Sequence, residues 1–222
     1  MSHLLSNQKR NIFKDIYCIL YEYYGPQHWW PGDSPFEIML GAILTQNTNW
    51  RNVESAINNL KKKNLLKPAQ LNRISIGELK SLIRPAGFYN IKSDRVKIFV
   101  KYLCEQYKGD IGRVKKRETV SLRNEILGIK GIGPETCDSI LLYALEKPVF
   151  VVDAYTKRVF SRHNIVDEDA TYDEIQSVFE KNLNRDVKLF NEYHALIVQL
   201  AKDKCKNRKP VCETCPLFCI EE

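Results

Sequence analysis

A chain of 222 residues with 44% hydrophobic residues is long enough to bury a sizeable core, which excludes a disordered arm. Its 34 Lys and Arg against 27 Asp and Glu leave a net charge of +7, compatible with a polyanionic partner but not diagnostic of one. No apolar stretch approaches bilayer-spanning length, and the opening MSHLLSNQKRNIFKDIY lacks a signal-peptide core, so a soluble, cytoplasmic protein with no membrane partner is expected.

Helical periodicity dominates the chain in order. NQKRNIFKDIYCILYEYYG spaces its apolar residues for a helix and stops it at Gly25. SPFEIMLGAILTQNTNW opens on a cap signal at Ser34, with Pro35 in the first turn and Glu37 three residues after the cap, the pattern of a capping box. NWRNVESAINNLKKKNLL follows as an amphipathic helix with a basic end. SIGELKSLIRPAGFYNIKSDRVKIFVKYLCEQY reads as two helices broken at Pro85-Ala86-Gly87. Towards the C-terminus, TYDEIQSVFEKNL and DVKLFNEYHALIVQLAKDKC are again helical. KPVFVVD has strand-like composition but no partner strand in view, so it is read as extended chain or the start of a helix.

Two features between residues 127 and 158 carry chemistry. GIKGIGPETCDSILLYAL alternates Gly and Ile before a helix opens near Pro134. Glycines let a backbone approach a ligand, and a helix start offers N–H groups and positive dipole, so the turn can hold a phosphate without reading a base. It can equally be a tight helical corner. The second feature is Asp153, placed directly after Val149-Phe150-Val151-Val152 and in position to cap the next helix. In the tail, Cys205, Cys212, Cys215 and Cys219 are spaced C-x6-C-x2-C-x3-C, which suits a [4Fe-4S] cluster or tetrahedral zinc better than a disulfide framework.

LGIKGIGPETCDSILLYA followed by VFVVDAYTKRVFSR resembles the helix-hairpin-helix, glycine-rich loop and aspartate of the endonuclease III-like DNA glycosylase superfamily. FEIMLGAILTQNTNWRNVESAI, IRPAGFYNIKSDRVKIFV and the cysteine tail extend the likeness over nearly the whole chain. The resemblance implies an all-α fold of two helical lobes with DNA in the groove between them. One lobe is a central bundle, residues 33–149, with the hairpin at about 123–145; the other is formed by residues 1–32 and 150–222 and carries the cluster loop. It also implies a monomer acting on double-stranded DNA that contains damaged bases.

By the same resemblance Asp153 is the catalytic aspartate, and the hairpin residues Lys130, Gly131, Gly133 and Thr136 hold the DNA backbone, Lys130 as a phosphate contact or plain solvated charge. Family members that also nick DNA carry a lysine two residues past the last hairpin glycine, and here that position is Glu135. A carboxylate cannot form the imine that lyase chemistry needs, so a glycosylase without lyase activity is expected. Glu135 is then a pocket residue or a first-turn helix stabiliser. Trp29, Trp30 and Trp50 bracket one loop–helix–loop unit, and with LTQNTNW they look closest to the 3-methyladenine glycosylases of this branch. Trp30 and Trp50 would sandwich an electron-poor base. Gln46 occupies the loop position that fills the gap left by a flipped nucleotide, with Asn47 and Thr48 beside it. Lys92, Arg95, Lys157 and Arg158 are further candidates for phosphate contacts. Four thiolates in the tail would hold the [4Fe-4S] cluster, with zinc the alternative, although the family commonly has five residues in the last gap rather than three.

Rival expectations are a glycosylase for oxidised pyrimidines or mismatched bases, a non-catalytic damage-sensing protein, and a zinc-stabilised basic interaction module.

Overall fold

The structure is a computed structural model and describes residues 11–29 and 32–220. The regular structure of the described residues is helical throughout, without a strand. In chain order the helices are α1 (Ile12–Tyr24), α2 (Pro35–Leu44), α3 (Trp50–Lys62), α4 (Pro68–Arg73), α5 (Ile76–Ile83), α6 (Tyr89–Tyr107), α7 (Ile111–Lys115), α8 (Thr119–Leu127), α9 (Pro134–Ser139), α10 (Ala154–Arg162), α11 (Tyr172–Asn182) and α12 (Val187–Asp203). The chain forms two compact units, Trp29–Val151 and a second made of Met1–His28 with Val152–Glu222.

In the first unit α2 is the central element. Its PFEIMLGAIL sequence is apolar on nearly every face, and all but Pro35 and Ala42 are buried. A helix of that composition can sit only inside a bundle, and α3, α6, α9 and the turn after α9 pack around it. Ser34 caps α2 by accepting the Glu37 N–H at 3.3 Å. The reciprocal half of the expected capping box is diverted: the Glu37 carboxylate is 6% exposed as a residue and pairs with Lys61 of α3 at 2.8 Å. A buried carboxylate gains more from a cation than from a backbone N–H that water can serve.

The break at Pro85 is a 3-10 turn, Arg84–Ala86, followed by two residues with positive φ, Gly87 at 66° and Phe88 at 45°. After α9 the helix widens into a π turn over Ile140–Ala144, then runs out as extended, buried chain through Val149–Val152.

The second unit closes on an aromatic cluster. Phe13 of α1 stacks on Phe160 of α10 at 5.7 Å, and Phe160 meets Phe179 of α11 edge-on at 4.6 Å. Tyr193 of α12 joins them and donates its hydroxyl to the Phe13 carbonyl at 2.8 Å, so the polar tip of a fully buried ring is satisfied.

Candidate active site

Asp153 is the N-cap of α10. Its Oδ1 accepts the Thr156 N–H at 2.7 Å and the Thr156 hydroxyl at 3.0 Å. Its Oδ2 lies 3.4 Å from Nε2 of His194 on α12, and the two side chains are only 13% and 6% exposed. The residue before it is fixed as well, since the Val152 N–H donates to the Tyr172 hydroxyl of α11 at 3.3 Å. Burial by itself pushes the carboxyl up; His194 and then the Thr156 donors outweigh it, and the net position is below the ordinary carboxylate value. The site therefore presents a desolvated carboxylate that is ionised at neutral pH, with Oδ1 spent on the helix and Oδ2 beside His194. His194 was not among the expected site residues. Only its place on an otherwise apolar face of α12 could have suggested it.

The hairpin joins α8 to α9. Ile129 and Ile132 turn inward, 7% and 6% exposed, which leaves Lys130 and Gly133 exposed between and after them. Gly131 needs its missing side chain twice over: its φ is +91°, and a Cβ there would come within 2.6 Å of Arg95 Cγ. Gly133 differs. Its backbone is ordinary, φ −93°, and a Cβ would meet nothing within 4 Å. Among the described residues no packing asks for glycine there, and the backbone at the start of α9 is open. Behind the turn, Arg123 of α8 grips Asp138 of α9 with two parallel bonds of 2.7 and 3.0 Å, and Asp138 is fully buried. Glu135 is exposed in the first turn of α9, and Thr136 is buried behind it.

In the same unit, Gln46 lies in the turn after α2 and is drawn onto the hairpin. Its Nε2 donates to the Thr136 hydroxyl at 2.9 Å and to the Gly131 carbonyl at 3.3 Å, while its Oε1 accepts from Arg95. Asn47 beside it is exposed with φ +53°, and Thr48 accepts from Asn52 at 3.1 Å. Trp50 opens α3, 40% exposed, with the tip of its ring 3.3 Å from the position of a Cβ on Gly41. Trp29 is half-buried and tilted against Tyr143 at 5.9 Å. Trp30 lies outside the described residues. Phe88 was missed: an aromatic ring 64% exposed on left-handed backbone is held outward by the fold, and the Gly87-Phe88 pair after a proline is its only sequence signal.

The candidate cations divide. Lys92 cannot meet a phosphate, and that expectation is corrected: it is 1% exposed, and its ammonium donates to the Leu44 carbonyl at 2.8 Å and the Ala86 carbonyl at 2.7 Å. Desolvation, then repulsion from Arg95, brings its pKa below the usual lysine value. Lys157 donates to the Ala170 carbonyl at 2.7 Å. Arg158 donates to the Cys205 carbonyl at 2.9 Å and stands over the Tyr155 ring at 5.1 Å, so it supports the start of the cysteine loop.

Of the tail cysteines, Cys205 is buried, Cys215 half-buried, and Cys212 and Cys219 exposed. Cys212–Thr214 forms a 3-10 turn, and Arg162 donates to the Cys205 sulfur at 3.3 Å. No group of three or more metal-binding side chains converges on a point among the described residues. The donor set nonetheless fits a thiolate-bound metal: four thiols fall on one short loop, and a guanidinium N–H is already aimed at the innermost sulfur.

Residues 40–185 match a family model described as HhH-GPD superfamily base excision DNA repair protein. A provisionally named DNA repair glycosylase of Methanocaldococcus jannaschii is 50% identical over 220 residues, which span 97% of this chain and 99% of the relative. The structure of H. pylori 3-methyladenine DNA glycosylase bound to 1,N6-ethenoadenine is similar with a TM-score of 0.75 at 29% identity, covering 87% of this chain and 98% of that one. A non-covalent endonuclease III–DNA complex reaches a TM-score of 0.80 at 21% identity over 94% of each chain, a likeness of fold. Matched by the family model over residues 40–185 and by a relative along nearly its whole length, the chain belongs to the HhH-GPD superfamily of base excision DNA repair proteins, as a DNA glycosylase of the endonuclease III-like kind.

Proposed function

We propose that this glycosylase is monofunctional and removes alkylated purines of the 3-methyladenine type from double-stranded DNA. The observation that carries the reading is its pair of carboxylates: a buried, ionised Asp153, and Glu135 at the hairpin position where nicking members of the family carry lysine. The likeness to a 3-methyladenine glycosylase at 29% identity supports the substrate class.

Breaking the bond between C1′ and the base nitrogen sends the electron pair to the base and leaves positive charge on the sugar. A desolvated carboxylate stabilises that charge better than water does, because it is already oriented and in a low-dielectric setting. Asp153 Oδ1 is fixed by Thr156, and Oδ2, beside His194, would face the cation and align the water; as the water adds to C1′, the carboxylate takes its proton and passes it to solvent. A purine alkylated on the ring carries positive charge, and departure neutralises it. Such a leaving group needs no strong acid; it needs a stacking face. Trp50, 40% exposed, offers one, and by family resemblance Trp30 offers the other. On the DNA side, the open backbone at Gly133 and the exposed Lys130 would accept a phosphate, and by family resemblance Gln46, with Asn47 next to it, would lie beside the flipped nucleotide.

Cys205, Cys212, Cys215 and Cys219 would hold a [4Fe-4S] cluster, zinc being the other metal that four thiolates accept. Bound there, it supplies a cross-link that holds the basic loop 206–209 and takes no part in hydrolysis.

The test is base release from methylated duplex DNA, wild type beside Asp153→Asn, with released bases identified and an alkali-free gel run in parallel. Release of 3-methyladenine by wild type alone, without nicking, is the expected result. Nicking without alkali would remove the monofunctional reading. Release of an oxidised pyrimidine or a mismatched base instead would replace the substrate class.

A further inference from the structure

We infer that Arg95 is a positioning residue that sets Gln46 against the hairpin turn, and that base release depends on Arg95 through Gln46. The inference rests on the reading of Gln46 as the side chain beside the flipped nucleotide.

The start of α6 works as a bracket. Lys92 and Arg95 are three residues apart and so share one side of the helix. Lys92 ties the last residue of α2, Leu44, to the Arg84–Ala86 turn through its two carbonyl contacts. One turn further on, Arg95 reaches the residues just beyond. Its Nη1 donates to Gln46 Oε1, and its stem crosses Gly131 so closely that a Cβ there would lie 2.6 Å from Cγ and 2.8 Å from Nε. Gln46 answers with its other end, donating to Gly131 and Thr136 on the hairpin. A carboxamide rotates freely about its last bond, and an acceptor end and a donor end given to opposite partners leave it a single orientation. The guanidinium meets a neutral amide here, not a carboxylate. A hydrocarbon of the same length would cover Gly131 as well, so what the guanidinium adds is the aim of Gln46.

Fixed in this way, the Gln46 turn and the hairpin move as one piece. A backbone phosphate captured at the hairpin then also places Gln46, and ordering that side chain is not left to the moment of flipping. Freezing one such residue carries about a tenfold cost in rate if it is deferred.

The rival role for Arg95 is a direct phosphate contact, and the two separate cleanly. Arg95→Met keeps the stem over Gly131 and removes the donors; Arg95→Ala removes both. Each is combined with Gln46→Ala and assayed for single-turnover base release, for affinity to undamaged duplex across a salt series, and for thermal unfolding. Arg95→Met is expected to slow release roughly tenfold while leaving affinity and its salt slope unchanged, and to cost less than about twofold once Gln46 is already alanine. An unchanged rate overturns the inference. So does a weaker affinity with a salt slope smaller by about one, which is the signature of a lost phosphate contact. So does a loss just as large without Gln46. If wild type releases no alkylated base, the substrate reading fails by itself, and the same cycle is read on whichever lesion the enzyme does remove.

Discussion

Asp153 holds two jobs, and substitution separates them. As the N-cap of α10 it accepts the Thr156 N–H; in the proposed reaction it would also be the anion that faces the sugar. Asparagine caps a helix about as well as aspartate, so Asp153→Asn is expected to leave thermal stability near wild type and to lower single-turnover base release by about 10²-fold or more. Asp153→Ala loses the cap as well, a further ~1 kcal/mol of stability measurable by denaturant unfolding. Equal activity in Asp153→Asn and wild type would take the carboxylate out of the reaction. The pH dependence follows from the same contacts. Because the folded pKa is depressed, the stability Asp153 contributes is present above its unfolded value of about 3.9 and is lost as pH falls through the lower folded value. Activity limited by this group therefore has no acid limb between pH 7 and about 5. His194→Gln removes the imidazole next to Oδ2, the neighbour that lowers the Asp153 pKa, and its acid limb is expected at higher pH than that of wild type.

The hairpin is the element where fold and function ask different things of similar residues. Gly131→Ala forces a Cβ into Arg95 on backbone with φ +91°, so it is expected to destabilise the protein. Gly133→Ala meets nothing within the chain; stability is expected to be unchanged or slightly raised while affinity for duplex DNA falls. A Gly133→Ala protein that binds DNA normally would show that the open backbone there is not where the phosphate sits. Behind the turn, Arg123→Ala leaves the fully buried Asp138 without its bidentate partner and is expected to cost about 3 kcal/mol by denaturant unfolding. These elements also show what a sequence can reveal. Ser34-Pro35, Gly25 and the Pro85-Ala86-Gly87 break are local signals, written within a few residues of what they control, and the helices begin and end where they indicate. The glycine-rich turn before α9 and Asp153 as the cap of α10 were legible for the same reason. Lys92, Arg95 and Asp138 were not, because their partners lie 48, 49 and 15 residues away and a charged letter does not announce its burial. The same blindness explains Glu37, whose cap partner was legible and whose Lys61 partner was not.

For the whole molecule, the cysteines divide by the same physics that divides the charges. Cys137 is fully buried in α9, and desolvation, then the charge of Asp138, pushes its thiol up to about 12; it is a packing residue with no thiolate to offer. The four tail cysteines are the opposite case, two of them exposed and all on one loop, with Arg162 donating to the innermost sulfur and Arg158 to its carbonyl. Two guanidinium groups around the root of a small loop make sense where negative charge gathers, and four thiolates on a metal gather it. Protein prepared without oxygen is therefore expected to carry iron and sulfide, with Cys212→Ser and Cys215→Ser each abolishing both and lowering the unfolding temperature. Cys219→Ser decides the last position. If it too loses the iron, the three-residue gap delivers a fourth ligand; if it keeps the iron, the fourth ligand comes from elsewhere; and zinc in place of iron would make the loop a purely tetrahedral clamp. In every variant Asp153, the carboxylate proposed for hydrolysis, is untouched, so base release at low temperature should survive metal loss better than DNA affinity does. An equal fall in both would mean that the metal supports the aspartate's own unit as a whole and not just the basic loop within it.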